Sequence, residues 1–197
     1  MSYAHAVVAA VVIALTQLAP ARADDRYDSS MARAVRAATE QYRLSLWATQ
    51  DGYVQTTDYI SGFGTMYTNH DRFDPADLAH PTALVYDESG RLVACGYQFT
   101  HAAPYPAEFA GVPTSAWYAI PKHVHYNVSV DGVMHFGQAP WDTSDPPTLA
   151  NLRARNYVPT NGSLVFAFVH PAVHAFVIWA WRANDDGLYA GDNPALP

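Results

Sequence analysis

The sequence predicts an α+β fold, with one N-terminal helix packed on a mainly antiparallel sheet built from successive hairpins. Three observations carry this expectation. Apolar residues recur at helical spacing between about residues 31 and 50. Beyond Gly62 and Gly64 the composition shifts to β-branched and aromatic runs parted by Pro, Gly, Asp and Asn. Short loops carrying turn residues join those runs, and hairpins in series behind one helix make an α+β architecture.

Ahead of the helix, the apolar run from Ala6 to Leu15 leads through Gln17 and Pro20 to Ala21-Arg22-Ala23, a small-residue cleavage pattern. Residues 1–23 therefore read as a secretory signal peptide, and 24–197 as one globular domain. The apolar run reaches only about Leu18, short of the roughly 20 residues a bilayer core requires, and Asp24-Asp25-Arg26 follows at once. No transmembrane segment is expected in the mature form, and the expected location is secreted or periplasmic. With Cys95 as the one cysteine, an exported chain has no internal disulfide and must rely on its core.

In the mature chain Asp28, Ser29 or Ser30 can cap the helix, and Met31, Val35, Ala38, Tyr42 and Leu46 form its apolar stripe until Gly52 ends it. The runs 82–87 and 91–99 make a hairpin around Glu88-Ser89-Gly90. Alternation groups Cys95 with Val93, Tyr97 and Phe99, and with no charged neighbour to lower its pKa the thiol is expected to be buried and inert. The runs 117–130 and 133–138 make a second hairpin around Asp131-Gly132, the strongest turn signal in the chain. Segment 140–159 is polar and Pro-rich, with a short helix near 148–155.

The runs 163–169 and 175–182 make a third hairpin through His170-Pro171-Ala172-Val173. Residues 176–181 are almost continuously apolar, so this strand is expected at the centre of the sheet, covered on both faces. Alternation sends Val177, Trp179 and Trp181 one way and Phe176, Ile178 and Ala180 the other.

Composition excludes some functions. A formal net charge of −7, with Lys122, Arg153 and Arg155 scattered, leaves no basic patch for nucleic acid. Thirteen Tyr and five Trp are many for this length, and Trp117, Tyr118 and Trp141, with Trp179, are candidates to shape a pocket for a small molecule or an envelope or extracellular partner. The sequence holds no G-x-S-x-G elbow, Gly-rich phosphate loop or His-Glu-x-x-His helix.

Histidine carries the remaining chemistry. His123-Val124-His125 lies in a strand, so both imidazoles project to one face together with Asn127 and Ser129, as β-sheet metal sites require. A two-residue Asp131-Gly132 loop pairs Val130 with Val133, hence Val128 with His135, which turns His135 away from the pair. His174, His170, Asp142 and Asp145 remain as completing ligands, and His123, His125 and His174 are the set taken for a transition metal. A cupin-like site would want a Glu a few residues after His125, and the stretch Tyr126-Asn127-Val128-Ser129-Val130 has none. Two functions are expected from these residues: a non-catalytic exported domain that binds a small ligand or partner, or a metal-dependent hydrolase or oxidase with a metal-bound water as its reactive species.

The tail Ile178-Trp179-Ala180-Trp181-Arg182-Ala183-Asn184-Asp185-Asp186-Gly187-Leu188-Tyr189-Ala190-Gly191-Asp192-Asn193-Pro194 resembles the C-terminal signature of a family of uncharacterised secreted bacterial proteins, a Trp-rich strand followed by Asn, Gly, an aromatic residue and a closing Asn-Pro. Asp51-Gly52-Tyr53, Gly62-Phe63-Gly64, Tyr67-Thr68-Asn69 and Leu84-Val85-Tyr86-Asp87 are similar to further segments of that family. The resemblance implies a shared fold and carries no activity. It also implies histidines at the places that Met66 and Val177 occupy here, so any work they do would be lost or would fall to His174 and His123/His125.

Overall fold

A computed structural model describes residues 29–197. The expected signal peptide and Asp28 lie outside the described residues. The architecture is mixed helix and sheet, with mostly antiparallel strands and few helices.

Ser29 caps the first helix, α1 (Ser30–Thr39), its Oγ accepting from the Ala32 N–H at 3.1 Å. The single helix expected to about residue 50 is interrupted: a 3₁₀ turn (Glu40–Tyr42) follows, and then a separate α2 (Ser45–Gln50). The cause is a competing ladder. Leu44 is extended and bridges Arg91, the Ser45 N–H donates to the Gly90 carbonyl, and the Leu92 N–H donates to the Arg43 carbonyl. Before the break Ala32, Val35, Thr39 and Tyr42 face the core; after it Leu46 is 61% exposed, off the expected stripe.

Two sheets follow. The larger runs in the order β1 (Val54–Gln55), β2 (Thr65–Thr68), β3 (Ala83–Tyr86), β4 (Leu92–Phe99), β9 (Val173–Ile178), β5 (Tyr118–Ile120). The smaller runs β7 (Val133–Pro140), β6 (His123–Val130), β8 (Gly162–His170). This corrects two expectations. The strand read over 117–130 is broken at Pro121-Lys122, and its halves, β5 and β6, join different sheets. The third hairpin does not form: β8 pairs with β6, whereas β9 pairs with β4 and β5. Proline has no N–H to give a ladder, so Pro121 and Pro171 end pairing at the two points where the chain crosses between sheets.

β9 lies between β4 and β5, where its continuous apolar run can be covered on both faces. The strand stops at Ile178. The Ala180 N–H turns back to the Ile178 carbonyl and the Trp181 N–H reaches the Val93 carbonyl. Trp179 therefore packs with Val177, Val85, Val93 and Ala94 on one side, and Trp181 swings to the helix side, its Nε1 donating to Thr39 Oγ1 at 3.0 Å. The two tryptophans do not share a face, and Trp181 is only partly buried.

A bulge in β4 moves Val93 as well. Tyr86 pairs with Leu92 and Val85 with Ala94, so Val93 is the extra residue and leaves the face of Cys95, Tyr97 and Phe99. Cys95 is fully buried, and burial pushes its thiol up to about 12, the inert state expected of it.

In the small sheet, Asp131 (φ 52°) and Gly132 (φ 82°) both adopt positive φ, as a two-residue hairpin turn demands. Val130 pairs with Val133 and Val128 with His135, the register deduced from the turn. Val124, Tyr126 and Val128 pack with Trp141, Val158 and Leu152 of α3 (Leu149–Ala154), which covers this face. The Tyr126 ring lies over Gly137, where a Cβ would stand 2.2 Å from ring Cζ. Among the described residues no helix is long and apolar enough to cross a membrane.

Candidate metal centre

Because Val124, Tyr126 and Val128 take the covered face, His123, His125 and Asn127 take the other. β8 runs antiparallel to β6 with His123 opposite His170 and His125 opposite Phe168. Directly opposed residues share a face, so His170 joins the first two imidazoles. The register shift between these strands falls beyond Asn127 and leaves the histidine pairing intact.

Three ligand nitrogens, one from each of His123, His125 and His170, lie within 4.8 Å of one another. Ring centroids of His123 and His170 are 4.4 Å apart, and those of His123 and His125 4.6 Å. Phe168 stacks on His125 at 5.1 Å and Phe73 meets His170 edge-on at 5.0 Å. His125 and His170 are 1% and 2% exposed, and only His123 is open in part to solvent.

The hydrogen bonds settle which nitrogens are free. His123 Nδ1 is 2.8 Å from the Pro121 carbonyl and His170 Nδ1 is 2.7 Å from the Pro171 carbonyl. A carbonyl only accepts, so each Nδ1 carries the proton and each neutral ring presents a bare Nε2. Backbone carbonyls that fix the far ring nitrogen are the usual outer support of metal-ligating histidines. His123 Nε2 lies 2.9 Å from His125 Nε2, and His125 Nδ1 is buried with no hydrogen-bond partner. If His125 donates from Nε2, its Nδ1 lone pair is orphaned; if it does not, two lone pairs face each other. Either state is costly in a dry site, and a cation between the Nε2 atoms relieves the contact between the lone pairs.

Burial, aided by mutual repulsion among the rings, holds these histidines in the neutral, ligating form. The His170 pKa is lowered to about 3, first by burial and then by His123. That of His125 is well below the usual 6.5, first by burial, then by His123 and His170, and that of His123 is lowered by burial.

His174, the third ligand expected from sequence, lies elsewhere. It sits exposed in β9 between Phe99 and Ala119, outside the triad. His135 is exposed opposite Val128, and Asp145 lies 3.6 Å from Arg155. Trp117 and Trp141 pack in different cores. Trp117 stacks on Tyr105 at 3.9 Å against the core of the larger sheet, and Tyr118 pairs with Ala175. Trp141 is 1% exposed in the core beneath the smaller sheet, its Nε1 donating to the Asp145 carbonyl. An open groove of about 1040 Å³ lies between α2 and the larger sheet, with Arg43, Trp47, Arg91 and Trp181 on its walls and none of the triad. The chemistry is at the histidines, so the size of that groove does not make it the site.

His170 and Gln98 are the residues that sequence reasoning did not place here. His170 stood among several candidates, and Gln98, whose Oε1 is 2.9 Å from His170 Nε2, carried no signal in the strand 91–99. No family model, curated protein or solved structure matches this chain.

Proposed function

We propose that this is an exported, non-catalytic metal-binding protein, and that its ligand is a late first-row divalent ion, zinc or copper, held on the Nε2 atoms of His123, His125 and His170. The observation that carries the reading is three imidazoles that each bring one ring nitrogen within 4.8 Å of the others, with the Nδ1 atoms of His123 and His170 held by the Pro121 and Pro171 carbonyls. Imidazole donors suit zinc and copper, and neither needs a carboxylate to complete such a set. Export rests on the leader-like residues 1–23 and on the resemblance of the tail to secreted bacterial proteins. A second reading, a metal-dependent hydrolase or oxidase, draws on the position that three ligands leave open and on the partial exposure of His123.

Elemental analysis of untagged protein, followed by titration of the metal-free form with Zn²⁺ and Cu²⁺, tests the proposal. One equivalent is expected in the parent and in His174→Ala, and none in His123→Ala or His170→Ala. A parent that takes up no metal, or a His174→Ala variant that loses it with His170→Ala retaining it, overturns the assignment.

A further inference from the structure

We infer that Gln98 supplies the fourth ligand, its side-chain oxygen closing a three-nitrogen, one-oxygen shell around the ion; the inference rests on the metal-binding reading above. Gln98 belongs to β4 in the larger sheet and His170 ends β8 in the smaller one, so the contact joins the two sheets. Its Oε1 stands 2.9 Å from His170 Nε2, and the residue is 5% exposed. Since the Pro171 carbonyl takes the Nδ1 proton, His170 Nε2 has a lone pair and no hydrogen. An amide oxygen at that distance then faces another acceptor.

The Gln98–His170 contact adjoins the histidine triad, and a cation held by His170 would relieve it. Bonds of about 2.0–2.2 Å to nitrogen and oxygen place neighbouring tetrahedral donors about 3.3 Å apart, a little wider than this contact. In the metal-free protein the amide turns over and donates its N–H to His170 Nε2, so loading exchanges a hydrogen bond for a metal bond at the same atom. Phe73 and Phe168 wall the rings of His170 and His125. A shell closed by four protein atoms holds the ion without a labile water, which fits retention of the metal and disfavours metal-bound hydroxide as a reagent.

The test compares Co²⁺ spectra and competitive Zn²⁺ affinity in the parent, Gln98→Leu and Gln98→Glu, with circular dichroism as the check on folding. A ligating Gln98 predicts at least about tenfold weaker Zn²⁺ binding in Gln98→Leu and a Co²⁺ band that becomes pH-dependent as water fills the vacated position. It predicts tighter binding in Gln98→Glu, because the near-isosteric carboxylate adds a negative charge to the shell. A residue that only orients His170 predicts the reverse for Gln98→Glu: the carboxylate draws a proton to Nε2 and weakens binding. That reversal, or parental affinity and spectrum in Gln98→Leu, overturns the inference and leaves the three-histidine reading standing. A parent that binds neither Co²⁺ nor Zn²⁺ overturns both.

Discussion

Lowering the pH from 7.5 to 5.0 should destabilise the metal-free protein by about 2 kcal/mol through His170, with His125 acting in the same direction. Both are neutral in the fold and titrate near 6.5 when unfolded, so below 6.5 the unfolded chain binds protons that the native protein does not. Stability is then at full value above about pH 6.5 and falls as pH decreases toward the folded value, which for His170 is about 3. At pH 5.0 His170 has passed through about 1.5 pH units at about 1.36 kcal/mol per unit, or about 2 kcal/mol. Paired carboxylates do not share this window: Asp51, Asp77 and Asp87 are held below 3.8, so their contribution is lost only in stronger acid. A loss of about 2 kcal/mol is a measurable part of the roughly 5–15 kcal/mol that holds a domain together. Urea unfolding in the presence of a chelator at both pH values measures it, and His170→Gln should lose less than the parent. Equal parental stability at the two pH values, or an undiminished loss in His170→Gln, would refute the argument.

Trp179→Ala should cost about 3–5 kcal/mol, because the ring is fully buried and its Nε1 donates to the Ala190 carbonyl at 2.7 Å. Trp181→Ala, partly exposed, should cost less, and thermal melts of the two variants give the order. Gly132→Val forces a β-branched residue to φ 82° and should lower stability by more than about 1 kcal/mol, read as a shift in denaturant midpoint at unchanged slope. Intact-mass measurement of protein from a secreting host should find a chain beginning at Asp24; retention of Met1 to Ala23 would contradict the export reading.

Local chemistry was enough to place the Asp131-Gly132 turn, and through it the β6–β7 register. A two-residue loop leaves no freedom in pairing, so Val128 opposite His135 follows from residues within a few positions of the turn. The inert Cys95, a cap among Asp28, Ser29 and Ser30, and the non-edge place of β9 were legible for the same reason: each depends on burial or on neighbours close in the chain.

The pairing of β6 with β8 is different, because it joins His123 to His170 across 47 residues, and several runs of similar apolarity compete for that edge. Pro121 and Pro171 could be read as breaks, yet which sheet each following strand joins depends on where the remaining apolar faces are covered: α3 over the smaller sheet, α1 over the larger. That choice excludes His174 from the site and brings in His170 and Gln98. Backbone bonds to distant partners also divide the N-terminal helix at Leu44 and turn Trp181 away from Trp179, against the periodicity of their own segments. Periodicity reports which face of a segment is apolar; which neighbour meets that face is a property of the whole packed chain.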